Sequence, residues 1–134
     1  MTVRKRETVP VRTENDVVTV RQTTRAWATE CRFSLVDQTK IVTAASELAR
    51  NAVIHGGGGE ATFEILDEGP RVGLRLTFED QGPGIPDIEQ ALRDGFTSGG
   101  GLGLGLGGSR RLVNDFSIDS GPGRGTRVSV TRWK

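Results

Sequence analysis

Three stretches of this chain carry residue types that can do chemistry. Glu47 and Asn51 stand four residues apart, a spacing that puts two side chains on one face of a helix. A carboxylate one turn from a neutral amide oxygen can draw a proton from an attacking hydroxyl. The amide is a suitable hard ligand for Mg2+, which takes few protein groups and keeps several waters. Asp80 is followed by Gly82 and Gly84. An ionised carboxylate accepts hydrogen bonds and donates none, so Asp80 matches an exocyclic amine. Gly82 and Gly84 would let backbone lie against a flat ring, on which Ile85 packs. The plainer reading of the same residues is an Asx turn ending a strand. Between Gly99 and Gly108, seven of ten residues are glycine and the others are Leu102, Leu104 and Leu106. That run is either a flexible linker or a loop of bare N–H groups that closes over an anion.

The glycine run leads into a helix starting near Leu104 to Gly108, whose free N–H groups and dipole favour phosphate. On the phosphate reading Gly99, Gly100, Gly101, Leu102, Gly103, Leu104 and Gly105 touch the ligand, and Arg110 or Arg111 adds positive charge. No Gly-Lys-Ser/Thr follows, so this is not a Walker loop. Nor does the run follow the first strand of a βαβ unit, as a dinucleotide fingerprint would. His55, just before Gly56, reads as a helix C-terminal cap favoured by the dipole rather than as a ligand.

The elements that must hold these residues follow from periodicity. Val9, Pro10 and Val11 suggest a short edge strand over 7–13, where proline is tolerated. Asn15 or Asp16 caps a helix over 16–31, with Val17, Val20, Trp27 and Cys31 as its apolar stripe. Arg21 and Arg25 lie on a solvated flank. Ser34 to Asp37 resembles a capping box opening a helix that runs to about His55 and stops at Gly56 to Gly59. On it Ile41, Ala45, Leu48 and Ala52 form the buried face, with Glu47, Asn51 and His55 in a row beside it. Residues 61–67 and 72–79 alternate apolar with polar around Glu68 to Arg71 and form a hairpin. A short helix over 86–92, a second over 106–113 with Leu112 and Val113 inward, and a hairpin of 116–120 with 126–131 complete the chain. Strands in hairpins, with helices not alternating one for one, predict an α+β fold: a two-layer α/β sandwich with helices on one face of a mixed, mostly antiparallel sheet.

Composition narrows the classes. The 134 residues suit one domain over 1–134. Eighteen Lys and Arg against 17 Asp and Glu leave a net charge of +1, and with no tyrosine the chain lacks the basic, aromatic-interleaved surface of a nucleic-acid binder. One cysteine excludes an internal disulfide and fits a reducing compartment. No apolar run is long enough to span a membrane and no signal peptide is evident. A cytoplasmic protein, binding neither nucleic acid nor membrane, is expected.

Taken together, Glu47-x-x-x-Asn51, Asp80-x-Gly82-x-Gly84, the glycine run before a helix, and Gly125 with Thr126 resemble the GHKL (Bergerat-fold) nucleotide-binding superfamily of gyrases, chaperones, histidine kinases and MutL-like proteins. The resemblance runs from Glu7 to the end. It implies ATP and Mg2+ as cofactors, Glu47 as general base, Asn51 as the Mg2+ ligand and Asp80 as reader of the adenine amine. It further implies that Gly82 and Gly84 shape the adenine pocket, that Thr126 supports it, and that Gly99 to Gly108 form a lid over the phosphates. The leucines of that lid would pack only on closure. Within the superfamily, Ser46 to Ala52, Gly84 to Glu89, Gly101 to Leu106 and Asp115 to Ser120 are similar to the RsbT-type switch kinases of the stressosome. That implies phosphorylation of a serine or threonine on a STAS-domain antagonist, followed by binding of an output protein such as a PP2C-type phosphatase. The alternative is the anti-sigma branch, which sequesters a sigma factor with kinase activity secondary; both branches share the pocket. A nucleotide-dependent interaction protein without transfer is a third reading, and Glu47 argues against it.

Overall fold

The protein is described by a computed structural model covering residues 1–85, 87–93 and 105–134. Its elements are β1 (Thr2–Val11), α1 (Glu14–Glu30), α2 (Leu35–Ile54), β2 (Gly59–Glu68), β3 (Arg71–Asp80), α3 (Ile88–Ala91), α4 (Gly105–Arg111), β4 (Asp115–Ser120) and β5 (Thr126–Trp133). The order matches the sequence expectation. The strands form one sheet in the order β1-β2-β3-β5-β4, and every described pairing is antiparallel.

Alternation along the strands sorts the side chains. Phe63 and Ile65 of β2, Leu74, Leu76 and Phe78 of β3, and Val128 and Val130 of β5 are buried in one cluster with Val17, Val20, Trp27, Ile41, Ala45 and Leu48 of the helices. The helical layer therefore covers one face of the sheet. Trp27 meets Phe63 with ring centroids 5.6 Å apart, and Lys5 Nζ lies 4.4 Å from the centre of the Trp27 ring. Cys31 is buried, and burial pushes its thiol up to about 11, which leaves it unreactive at neutral pH. Among the described residues no helix is long and apolar enough to cross a membrane.

Helix α4 ends at Arg111 rather than near Val113 and β5 runs to Trp133 rather than Thr131; the starts of α1 and β1 also differ, each for a physical reason. The cap of α1 is Thr13, not Asn15 or Asp16: its side chain accepts from Asp16 N–H, while the Asp16 carboxylate receives the Thr13 N–H. Asp16 is the third helical residue of a capping box, so the polar cluster was right and its register two or three residues late. Strand β1 begins at Thr2 rather than near Glu7. Its first half is charged and exposed, and its order comes from the β2 ladder and from ion pairs of Arg4 with Asp67 and Lys5 with Glu30. Apolar alternation cannot signal a strand held in that way.

A single arginine ties the layers together at the far end of α2. Arg132 of β5 places Nη2 2.6 Å from Asp37 Oδ1 in the first turn of α2, and its Nη1 donates to the Leu112 carbonyl just past α4 at 2.9 Å. The guanidinium holds the Asp37 carboxyl below its ordinary value. The charged form is thus favoured by folding, so its stabilisation is complete above about pH 4 and is lost as pH falls through the lower folded value. Asp37→Asn should cost about 2 kcal/mol at pH 7, measured by urea unfolding. Because the variant has no carboxyl to protonate there, the gap to the natural protein should narrow between pH 4 and pH 2.

Candidate functional site

The candidate residues meet at one end of the sheet. In register across the strands stand Val11, Gly59, Asp80, Thr126 and Ser120. Directly paired residues share a face, and Phe78 and Val128, two positions back, point into the helix-side core. Asp80, Thr126 and Ser120 therefore face the helical layer. Gly59 contributes no side chain beside Asp80, and the β3 backbone leaves no room for one.

Helix α2 arrives over this row with its last two turns. Glu47 is buried, at 2% exposure, Asn51 is half-buried and His55 is exposed. The polar row beside the apolar face is real, and it runs from the core outward to the helix end. His55 is the C-cap, its N–H donating to the Asn51 carbonyl at 2.9 Å. The Gly56 N–H donates to the same carbonyl and Gly58 N–H to that of Ala52, which turns the chain down onto β3. A Cβ on Gly56 would fall 2.3 Å from Asp80 Cγ, and one on Gly82 would fall 2.6 Å from Gly56 Cα. Three chain segments meet here without side chains between them.

Asp80 realises the Asx turn: Oδ1 accepts the Gly82 N–H at 3.0 Å. Among the described residues Oδ2 has no hydrogen-bond partner, so one oxygen fixes the carboxylate and the other is left to bind. Gly84, with φ +80, passes under the β4–β5 connection, where a Cβ would lie 2.0 Å from the Gly121 carbonyl oxygen. Gly123 N–H donates to Pro83 O at 2.8 Å. The glycines read as making room for a ring thus also let the loop after β3 lock onto the 121–125 turn. A shallow polar cavity of about 180 Å3 lies at the sheet end, lined by Glu79, Asp119, Arg124 and Arg127 as well as Asp80, Gln81, Ser120 and Thr126. Glu79, Asp119 and Arg127 alternate with the row and point away from the helices, so it opens on the outer side of the sheet. It lies on the β4–β5 side of Asp80 and does not extend to Glu47 or Asn51.

The structure thus brings Asp80, Gly82, Gly84, Ile85 and Thr126 together, with Glu47 and Asn51 on the adjoining helix. Gly99, Gly100, Gly101, Leu102, Gly103 and Leu104, the expected lid, lie outside the described residues. Gly105 opens α4, which packs on α2, and Arg110 is exposed in its last turn. Leu106 lies in the core, at 7% exposure, where α4 docks through it. One expectation is corrected. Leu112 and Val113, expected inside, are only half-buried, and Ser109 takes the inner position instead. Sequence reasoning missed Ser120 and assigned Gly56 and Gly59 only the stopping of a helix. The run of four glycines was the available signal for the close approach; Ser120 becomes visible only with the strand register.

With this geometry in view, residues 36–134 match the family of histidine kinase-, DNA gyrase B-, and HSP90-like ATPases. The chain is 46% identical to the serine/threonine-protein kinase RsbT of Bacillus subtilis over 93% of its own length and 94% of that protein. It is 34% identical to the anti-sigma F factor of Bacillus licheniformis over 84% of its length and 80% of that protein. The fold recurs in the crystal structure of the RsbU and RsbW domains of a Mycobacterium tuberculosis protein, with a TM-score of 0.66 and 24% identity. That match covers 97% of this chain and 33% of the longer one. The chain belongs to the histidine kinase-, gyrase B- and HSP90-like ATPase family, and it is an ATP-using domain of the partner-switching kind.

The glycine contacts separate site from scaffold. Gly56→Ala would press a Cβ against the Asp80 side chain, 2.3 Å from Cγ and 2.6 Å from Cβ, whereas Gly59→Ala would put a Cβ 1.8 Å from the Glu79 carbonyl oxygen. Gly56→Ala should displace the carboxylate and weaken ATP binding at least tenfold, with Tm within a few degrees of the natural protein. Gly59→Ala should lower Tm by roughly 10 °C or more. Calorimetric titration and thermal unfolding of both variants check the contrast.

Proposed function

We propose that the protein is an ATP-dependent protein serine/threonine kinase that phosphorylates a STAS-domain antagonist and, once released from it, binds an output protein such as a PP2C-type phosphatase. The observation that carries the reading is a buried carboxylate, Glu47, one turn before a half-buried amide, Asn51, on a helix whose end is pressed against Asp80. An ATP binder alone has no use for a buried base beside its metal ligand. The 46% relative named as a kinase supports the same reading. The single buried cysteine agrees with a cytoplasmic, reducing setting, and the apolar core shared by the described elements supports reading 1–134 as one domain.

Phosphoryl transfer asks the protein mainly for positioning and charge stabilisation. Asp80 Oδ2 accepts from the adenine amine, Thr126 supports it, and Gly82, Gly84 and Ile85 bound the base. Glu47 takes the proton from the substrate hydroxyl as its oxygen bonds to the γ-phosphorus and ADP leaves. Residues 99–105 are assigned to cover the phosphates, with Arg110 nearby. Among the described residues no cluster of three acidic, His or Cys side chains gathers to hold an ion. One amide oxygen, Asn51, is the donor that suits Mg2+ arriving with its phosphates and waters. The ion would draw charge from the phosphates.

A second reading rests on the 34% relative named as an anti-sigma factor: sequestration of a sigma factor, with transfer secondary. Titration against a STAS protein, a PP2C-type phosphatase and a sigma factor separates the two. For the kinase, Glu47→Ala and Asn51→Ala should fold normally by circular dichroism and lose at least about a hundredfold in label transfer from γ-labelled ATP to a STAS protein. Unchanged transfer in both would overturn the roles. Asp80→Asn should weaken ATP binding, and natural affinity there would remove the adenine assignment.

A further inference from the structure

Ser120 closes the row on the β4 side and joins the loop after β3 to the start of β5. Its hydroxyl is buried, at 8% residue exposure. Its Oγ accepts the Ile85 N–H at 2.8 Å, donates to the Gly125 carbonyl at 2.9 Å, and lies 2.8 Å from Thr126 Oγ1. A serine hydroxyl has one proton and two lone pairs. The Gly125 oxygen can only accept, so it takes the proton. The Ile85 N–H can only donate, so it takes one lone pair. The remaining lone pair faces Thr126, and the Thr126 proton must point to it.

From this count we propose that Ser120 is a positioning residue that fixes the base selectivity of the site. It commits the Thr126 proton inward and leaves Thr126 Oγ1 to act toward the ligand only as an acceptor. The inference rests on the ATP reading above and deepens it. Asp80 and Thr126 are direct partners on neighbouring strands, which puts their Cβ atoms about 5 Å apart. Both face the helical layer, as Phe78 and Val128 two positions back do. With Ser120 in place, the two present acceptors side by side. That pattern pairs with the two hydrogens of a purine 6-amino group and opposes a 6-oxo group. Thr126 taken alone would be indifferent, because a free hydroxyl turns to donate or to accept. A buried acceptor facing an acceptor is left unpaired, which is the strong form of discrimination.

The test measures dissociation constants for ATP and for inosine triphosphate, its 6-oxo counterpart, by calorimetric titration on the full chain with Mg2+. Ser120→Ala frees the Thr126 proton, and the preference for ATP over inosine triphosphate should fall about tenfold, mostly through tighter binding of the oxo nucleotide. Thr126→Val should also reduce the preference. In the double variant, Ser120→Ala should then have no further effect on the ratio, because its action passes through Thr126. Ser120→Thr, which keeps the hydroxyl, should retain the natural ratio. An unchanged ratio in Ser120→Ala, or equal weakening of both nucleotides, would overturn the proposal, the latter by making Ser120 a purely structural link. If Ser120→Ala does not fold, an unchanged ratio in Thr126→Val overturns it alone. Asp80→Asn separates the two levels: undiminished ATP affinity there removes the adenine site itself and the selectivity with it, whereas lost affinity in Asp80→Asn with an unmoved ratio in Ser120→Ala sinks only the role of Ser120.

Discussion

The chain has no room for a Cβ at the end of β3, and the rest of the site depends on that. Gly56, Gly59, Gly82 and Gly125 all lie where an added Cβ would come within 2.6 Å of a neighbouring atom, and each of those neighbours is Asp80 or a segment touching it. Interiors are already close-packed, so these contacts fix how deeply α2 settles over the sheet. They also fix where the Asp80 carboxylate stands and how the loop after β3 meets the 121–125 turn. Glu47 and Asn51 then lie at a set height above the base end because they are two and one helical turns up the same rigid element.

That rigid corner contrasts with α4. Three of its seven residues are glycine, each less favourable in a helix than alanine by about 1 kcal/mol. Its order is tertiary: Leu106 is buried in the core, and Gly107 sits where a Cβ would be 2.2 Å from the Leu92 carbonyl oxygen. The domain thus joins a sheet end held by close backbone contact to a helix, α4, held by few side chains. Arg132 and Asp37 tie the opposite end of α2, so the helix carrying Glu47 and Asn51 is fixed at both ends by interactions outside the apolar core.

Most of the architecture was legible in the sequence because it is written in apolar period. The stripes Val17, Val20, Trp27, Cys31 and Ile41, Ala45, Leu48, Ala52 are all buried, and the hairpins fall at their turn residues. What failed to show was structure without an apolar signature. The first half of β1 is charged and held by pairing, and the cap of α1 sits before the cluster that suggested it. For the site, Glu47, Asn51, Asp80 and Thr126 were visible as motif spacings. Ser120 was not, because its importance comes from lying opposite Thr126 in a register that no local pattern states. Gly56 and Gly59 were visible as residues, but their reason lies in a contact made across the fold.

The central claim is that the row at the sheet end, together with the last two turns of α2, forms one ATP site. Amide NMR spectra recorded with and without Mg2+ and a non-hydrolysable ATP analogue test it directly. The largest shifts should fall on Asn51, Gly56, Asp80, Gly82, Ile85, Ser120 and Thr126, with the Arg132 end of α2 unmoved. Shifts concentrated at the Arg132 end, or none at Asp80 and Thr126 under saturating nucleotide, would contradict it.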